Sequence, residues 1–356
     1  GAVVKQNRRA NVQVGGPEAR AELIACQVYD PSHSSEPVNG RGVAVFGGAQ
    51  IDLTEVSVAN NRGFGVNADG AGTRVTIRRS VVRDTREATD IGPGNGISVT
   101  NGAALDLRES LVALNTTNGI RVAGAGDGSR ATATIVASRV RSTVLDLRGM
   151  NGHGVVVWDG ALLRATGVIV DGNQGVGVAA SGVGTTVEMR DGLVRGVRAG
   201  ADGGVAFGLQ VTDRASAEIS GVVFEGKQGA GVSASQPGTR VLQGGSVVRR
   251  ASPTRQGMGG IGVYASQGAD LRVTRSLVSN SALAGVVVTD TPLPDGGYLP
   301  DAATTATLSE SIIRGGAALG AVRSEGVNVS NRARVTMTGV QVLDCVGVGV
   351  VATAPR

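Results

Sequence analysis

Aromatic side chains are nearly absent. Four Phe, three Tyr and one Trp make up 2% of 356 residues. A basic groove that stacks nucleic-acid bases needs such platforms, so nucleic-acid binding is excluded despite a net charge of +5. Lysine is scarcer still, with Lys5 and Lys227 alone, so nearly all of the 34 basic residues are arginine. That is guanidinium chemistry suited to carboxylates, sulfates and phosphates. A GC-rich coding style, which also inflates Ala, Gly and Val, produces the same bias without a ligand. Two cysteines, Cys26 and Cys345, stand near opposite ends of the chain. A bridge needs Cα atoms within about 7 Å, so in an elongated fold each reads as a small buried hydrophobe. The two histidines, His33 and His153, form no zinc-ligand spacing. No apolar run approaches the roughly 20 residues of a membrane span. Residues Gly1 to Asn11 hold no apolar signal-peptide core.

Glycine is abundant, 57 residues, but without a Gly-X-Y period, which excludes collagen. A hydrophobic content of 41% is too high for a disordered chain. The glycines instead mark a repeat, Gly followed by apolar-x-apolar. One series reads Gly42-Val43-Ala44-Val45, Gly96-Ile97-Ser98-Val99, Gly154-Val155-Val156-Val157, Gly208-Leu209-Gln210-Val211, Gly262-Val263-Tyr264-Ala265 and Gly326-Val327-Asn328-Val329. A second lies between its members, as at Gly63-Phe64-Gly65-Val66, Gly119-Ile120-Arg121-Val122 and Gly175-Val176-Gly177-Val178. Short units of about 21 to 23 residues therefore alternate with long units of about 33 to 42. Each unit holds three period-2 segments, such as Val43-Ala44-Val45, Ile51-Asp52-Leu53 and Val56-Ser57-Val58. Period 2 with Gly and Asn at the corners predicts strands, and no stretch sustains helical periodicity.

Three strands per turn, with the tandem pattern of Val75-Thr76-Ile77-Arg78-Arg79-Ser80-Val81-Val82-Arg83, resembles the right-handed parallel β-helix (pectin-lyase-like) repeat proteins. The resemblance covers about residues 11 to 356. It implies an all-β solenoid of about twelve coils, one domain over 1–356, with residues 289–304 as a protruding loop. It implies little about function, because that family spans lyases, hydrolases, epimerases, adhesins and scaffolds. Neither end carries a capping helix, so the chain reads as a segment of a longer protein, flanked by other domains, or as one whose ends a partner covers.

Alternation assigns the faces. Ser80 and Val82 point inward, and the Ser80 column holds small residues throughout: Cys26, Val56, Ser110, Ser138, Ser246, Ser276 and Ser311 among them. Asn61, Asn115 and Asn173 fall at equivalent corners and read as a turn ladder in left-handed geometry. On the outward face an arginine follows the third strand of each long coil: Arg83, Arg141, Arg195, Arg249 and Arg314. This is either a cationic track for a polyanion or, with Asp171 and Glu225 interleaved, a salt-bridge ladder. Beside it runs an apolar stripe, Val81, Leu111, Ile169, Leu193, Val223, Val247, Leu277 and Ile312. A solvated strand face should be polar here, so the stripe is either covered by the long-coil loops or used as a protein–protein face. Those loops, with Asp84, Glu87, Asp90, Asp146, His153, Asp202 and Met258, line up on one side of every second coil. Trp158 and Phe46 share an exposed column four coils apart and read as isolated aromatics.

For catalysis the second strands offer Glu22, Asp52, Asp106, Glu188 and Glu218 in one outward column. Glu22 with Asp52, and Glu188 with Glu218, are expected on adjacent coils. Such pairs suit Ca²⁺, the only cofactor suggested, or an acid and base. The lyase and glycosidase constellations of the resembling family find no residue-by-residue match. The expectation is therefore a non-enzymatic bacterial module, secreted or at the cell surface. It would bind a protein or acidic polysaccharide through its loop-decorated, arginine-rich face. A carbohydrate-active enzyme is the alternative, and a structural spacer the second.

Overall fold

The computed structural model describes residues 2–5, 10–29, 40–88, 93–200, 204–290, 303–316 and 324–354. These contain no helix, and so none long and apolar enough to cross a membrane. The sequence-predicted loop at 289–304 falls largely outside them, as do His33, Asp90 and Asp202. The chain forms two compact units, Gly1–Gly175 and Val176–Arg356. Each is a right-handed parallel β-helix built of three strands per coil.

One coil of the first unit shows the plan. A first strand, Arg41–Phe46, turns through a glycine pair into a second, Gln50–Thr54. A two-residue turn leads to a short third strand, Ser57–Ala59. Every strand pairs in parallel and in register with its counterpart one coil on: Val43 with Val66, Leu53 with Ile77, and Val58 with Val82. The β-branched and leucine side chains at these positions all point into one narrow interior. Val43, Val45, Ile51, Leu53 and Val58 are all 0–1% exposed. The second unit repeats the plan. There one strand, Val223–Ser235, runs from the third position of one coil into the first of the next.

The motif glycine is the second residue of the first strand, next to the corner. A Cβ on Gly42 would stand 2.5 Å from the Gly65 carbonyl oxygen and 2.7 Å from Val58 Cγ1. Gly119 meets the Gly154 carbonyl oxygen at 2.6 Å. The recurring glycine is thus a spacing requirement between stacked backbones, since no side chain fits there.

The small inward column is more than a tolerance for small residues. Ser80 Oγ accepts from the Val56 amide at 2.9 Å and donates to the Arg78 carbonyl at 2.8 Å. Ser110 Oγ accepts from the Ser80 amide, and Ser138 Oγ from the Ser110 amide. In the second unit Ser246, Ser276 and Ser311 continue the same device. Each hydroxyl closes a backbone group left open where the tight turn interrupts the strand ladder. Ser110→Ala leaves the buried Ser80 amide unmatched and is expected to destabilise the first unit by about 1–3 kcal/mol in denaturant titration. An unchanged midpoint would show that the turn relaxes to satisfy the amide by itself.

The asparagine corners differ from expectation in one respect. The left-handed residue is the one before each asparagine: Asn60 (φ 55°), Leu114 (φ 56°) and Gly172 (φ 64°). Asn61, Asn115 and Asn173 themselves are fully buried. They alternate in one column with Thr85 and Thr143, whose amides donate to Asn115 Oδ1 at 3.0 Å and Asn173 Oδ1 at 2.9 Å. The amide side chain is needed inside the coil to accept a backbone hydrogen bond, and the strained φ is displaced to its neighbour. Cys26 is buried and donates to the Ile24 carbonyl at 3.1 Å, and both cysteines are free.

Candidate functional site

The outward face of the first strands in the unit Gly1–Gly175 gathers the chemistry. Three columns run across its coils. Phe64, Asn95, Asn118 and His153 stand in register nearest the corner. Ala44, Asn67, Ser98, Arg121 and Val156 form the middle column. Phe46, Asp69, Thr100, Ala123 and Trp158 form the last.

An outward strand face should be wet, yet Asn95, Ser98 and Asn118 are at most 2% exposed. Asn118 Nδ2 donates to Asn95 Oδ1 at 2.9 Å. Among the described residues that bond leaves Asn95 Nδ2 and Asn118 Oδ1 unmatched, and Ser98 Oγ and Arg41 Nε nearby are unmatched as well. A buried polar atom without a partner costs about 1–3 kcal/mol, so several on one face favour water or a polar ligand that completes their bonds.

Charged and aromatic groups border this patch. The Arg121 guanidinium lies over the Trp158 ring, 5.6 Å from its centroid. Burial lowers the pKa of Arg121, and Asp159 pulls it back up. Trp158 is therefore half-buried and stacked, not the isolated exposed aromatic that the sequence suggests. His153 pairs in register with Asn118. Its burial drives the imidazole pKa down to about 4, against the opposing pull of Asp146, so the ring is neutral at physiological pH. Asp69 accepts from Thr100 Oγ1 and Asn101 Nδ2, both at 2.7 Å.

Two long-coil loops meet beside the patch. Asp146 organises the loop at 142–152 by accepting from the Arg148 and Met150 amides and from Asn151 Nδ2. Glu87 of the preceding long coil accepts from the Leu147 amide at 2.8 Å. The loop leaves Leu147 77% and Met150 62% exposed at its tip.

The other sequence-singled residues sit elsewhere. Glu22 and Asp52 are register neighbours, as are Glu188 and Glu218, on the sheet of second strands. Asp106 there is engaged by Arg108 at 2.8 Å and by Arg78 at 3.9 Å. Among the described residues no three His, Cys, Asp or Glu converge in a way that could hold a metal ion. On the third strands, most of the arginine row is paired. Arg83 meets Asp84 at 2.5 Å, Arg249 meets Glu225 at 2.9 Å, and Arg314 meets Asp344 at 3.1 Å. The Arg249 hydrogen bond holds the Glu225 carboxyl below its ordinary pKa. Asp171, in register with Arg141, turns its carboxylate to Arg139. Arg195 lies in register with Glu225. In the apolar stripe Val81, Leu111, Ile169, Leu193, Val223, Val247 and Leu277 are half-buried, and Ile312 is 39% exposed.

The polar patch was missed because its signal is faint. Asn67, Ser98 and Arg121 occupy the variable position of the motif, which reads Ala44 and Val156 on either side. The clue was a run of three polar residues on consecutive coils at a position the motif leaves free.

A family model described as the right handed beta helix region matches residues 1–140. No curated protein sequence matches the chain. Among solved structures, the periplasmic alginate epimerase AlgG is similar at a TM-score of 0.52 and 12% identity, covering 91% of this chain and 76% of that one. A mannuronic acid specific polysaccharide family 6 lyase from human gut microbiota aligns at 0.48 and 9%, covering 94% and 77%. The catalytic unit of a GH87 α-1,3-glucanase from Streptomyces thermodiastaticus aligns at 0.41 and 12%, covering 96% and 63%. At these identities the likeness is one of fold.

Proposed function

We propose that the protein is a carbohydrate-active β-helix that binds an acidic polysaccharide along the first-strand face of the unit Gly1–Gly175. The observation that carries this reading is the row of enclosed, unmatched polar atoms on Asn95, Ser98 and Asn118, beside the Arg121–Trp158 stack. Sugar hydroxyls are both donors and acceptors, so they complete amide and hydroxyl groups of either sense. Arg121 supplies the positive charge for a sugar carboxylate and Trp158 a flat apolar edge. The likeness in fold to an alginate epimerase makes alginate the first glycan to try. Export from the cytoplasm belongs to the same reading.

A second reading, turnover of that glycan, rests on His153, which lies on the same face and is neutral at physiological pH. With its pKa near 4 it is a weak base, so this reading requires a bound substrate that raises that pKa. The carboxylates of the second strands take no part, since they lie on another sheet.

The test is retention of the purified protein in alginate-containing gels, with product analysis alongside. Arg121→Ala is expected to weaken retention at least tenfold, the scale of one lost charge-assisted contact of about 1.5–3 kcal/mol. Unaltered retention in that variant, or none for the parent protein on any acidic glycan, would sink the proposal.

A further inference from the structure

The third-strand sheet of the same unit carries a second concavity. It is an open groove of about 520 Å³ bounded by Arg79, Val81, Glu109, Leu111, Arg139 and Arg141. The groove forms because of what lies at successive coils. Val81 and Leu111 are register neighbours and make an apolar floor, and Arg139 follows Leu111 in the same column. Ala137 on the turn column is too small to fill the space beside Glu109. Ser80 and Ser110 also reach the groove, but their hydroxyls are committed to the serine ladder.

The charges around it are unequal in their commitments. Arg79 is paired with Glu55 at 3.1 Å. Arg139 is held by both carboxylate oxygens of Asp171. Arg141 has no hydrogen bond or ion pair from its side chain among the described residues, and its Nε is enclosed and unmatched. Its register neighbours are Ala113 on the coil before, 2% exposed, and Asp171 on the coil after, whose two carboxylate oxygens are both bonded to Arg139. Glu109, on a turn residue held at φ 49°, likewise has no side-chain partner among the described residues. An unused guanidinium and an unused carboxylate therefore face one groove with an apolar floor between them.

That combination selects its occupant. The volume suits a small molecule or one or two sugar rings, not a protein face. The third strands are bonded on both sides, so no strand edge is open to an added peptide. A simple anion would use Arg141 but leave Glu109 repelling it. A uronic acid residue uses every element: carboxylate, hydroxyl donors and an apolar ring face.

We infer that this groove is a second uronate-binding site, separate from the first-strand face. Arg141 takes the sugar carboxylate, Val81 and Leu111 carry the ring, and Glu109 accepts from its hydroxyls. It shares the ligand class of the proposed function but not its residues, so the two stand or fall separately.

The experiment is calorimetric titration of the full chain with an alginate oligosaccharide, repeated with inorganic phosphate and with a neutral glucan oligosaccharide. Two binding events are expected for the parent protein. Arg141→Ala should weaken one at least tenfold, Glu109→Gln should weaken that same one about tenfold, and Arg121→Ala should weaken only the other, at least tenfold. Glu109→Gln alters an exposed turn and keeps the fold, so its effect reads the site directly. A single event lost in Arg121→Ala and unaffected by Arg141→Ala overturns the second site and leaves the first-strand reading intact. Phosphate competing at the Arg141 event, with Glu109→Gln tightening it, also overturns the assignment, because the groove is then a plain anion site. Equal binding of the neutral glucan overturns it too.

Discussion

Replacing Lys227 with Met is expected to stabilise the unit Val176–Arg356 by several kcal/mol at pH 7. Lys227 is fully buried and occupies the inward corner column in which the first unit places Asn61, Asn115 and Asn173. Its neighbours on adjacent coils are Val197 and Ala251, both buried. Its Nζ finds no hydrogen-bond partner among the described residues and stands 5.8 Å from the Phe224 ring centroid. Burial pulls its pKa from 10.5 to about 7, with Glu225 resisting. At about 1.4 kcal/mol per pKa unit, holding the protonated amine inside the coil costs about 5 kcal/mol relative to the neutral one. The folded pKa lies below the unfolded one, so the folded state binds fewer protons between them. Stability of the parent protein should therefore rise from pH 7 to about 10.5, with the whole penalty present below pH 7. Met fills the same length without charge, and removing an unpaired buried charge is stabilising. Denaturant midpoints of both proteins across pH 6 to 10.5 make the comparison. If the two pH profiles run parallel, the ammonium is satisfied in a way its surroundings do not suggest.

His153 should produce the opposite boundary, on the acid side. Its pKa falls from 6.5 in the unfolded chain to about 4 in the folded one. The neutral ring is compatible with its enclosure beside Asn118, and the imidazolium is not. The contribution is fully present above about pH 6.5 and is lost as pH falls toward 4, a change of about 3 kcal/mol. His153→Gln cannot titrate at this position, so across that window the variant should lose about 3 kcal/mol less stability than the parent protein as pH falls. Parallel slopes would refute the burial argument and weaken His153 as a candidate base. A bound acidic glycan reads the same group independently. If His153 faces the ligand, binding should shift its titration, measured by the imidazole proton resonances.

Much of this fold could be read from the chain before any coordinates. The motif glycines gave the coil boundaries because only a residue without a Cβ fits between Val58 and the Gly65 carbonyl. Alternation placed Ser80 inside and Val81 outside, and both hold. The Ser80 column was legible as small, but its hydrogen bonds were not, since Val56 and Cys26 occupy it as well. The site was harder. Arg141 and Leu111 were legible as members of the arginine row and the apolar stripe, yet their lining one groove depends on Ala137 being small, a fact of the turn between strands. The polar patch on Asn95, Ser98 and Asn118 was invisible for a different reason. Whether an outward side chain is wet depends on the lengths of its neighbours one coil away, and strand periodicity carries no information about that. Nothing in the repeat pattern marks Lys227 as buried, because a lysine at a corner is ordinarily solvated.

The alternation of asparagine and threonine at the corners sets how the chain can change length. In the first unit each threonine amide is closed by the asparagine of the following coil, Thr85 by Asn115 and Thr143 by Asn173. Removing a single coil would set threonine against threonine, or asparagine against asparagine, and strand an amide in the interior. Removing two adjacent coils restores the pairing. The heritable unit of editing in this molecule is thus a doublet, and splices that respect it should pass through the corner unnoticed while odd ones leave a fault.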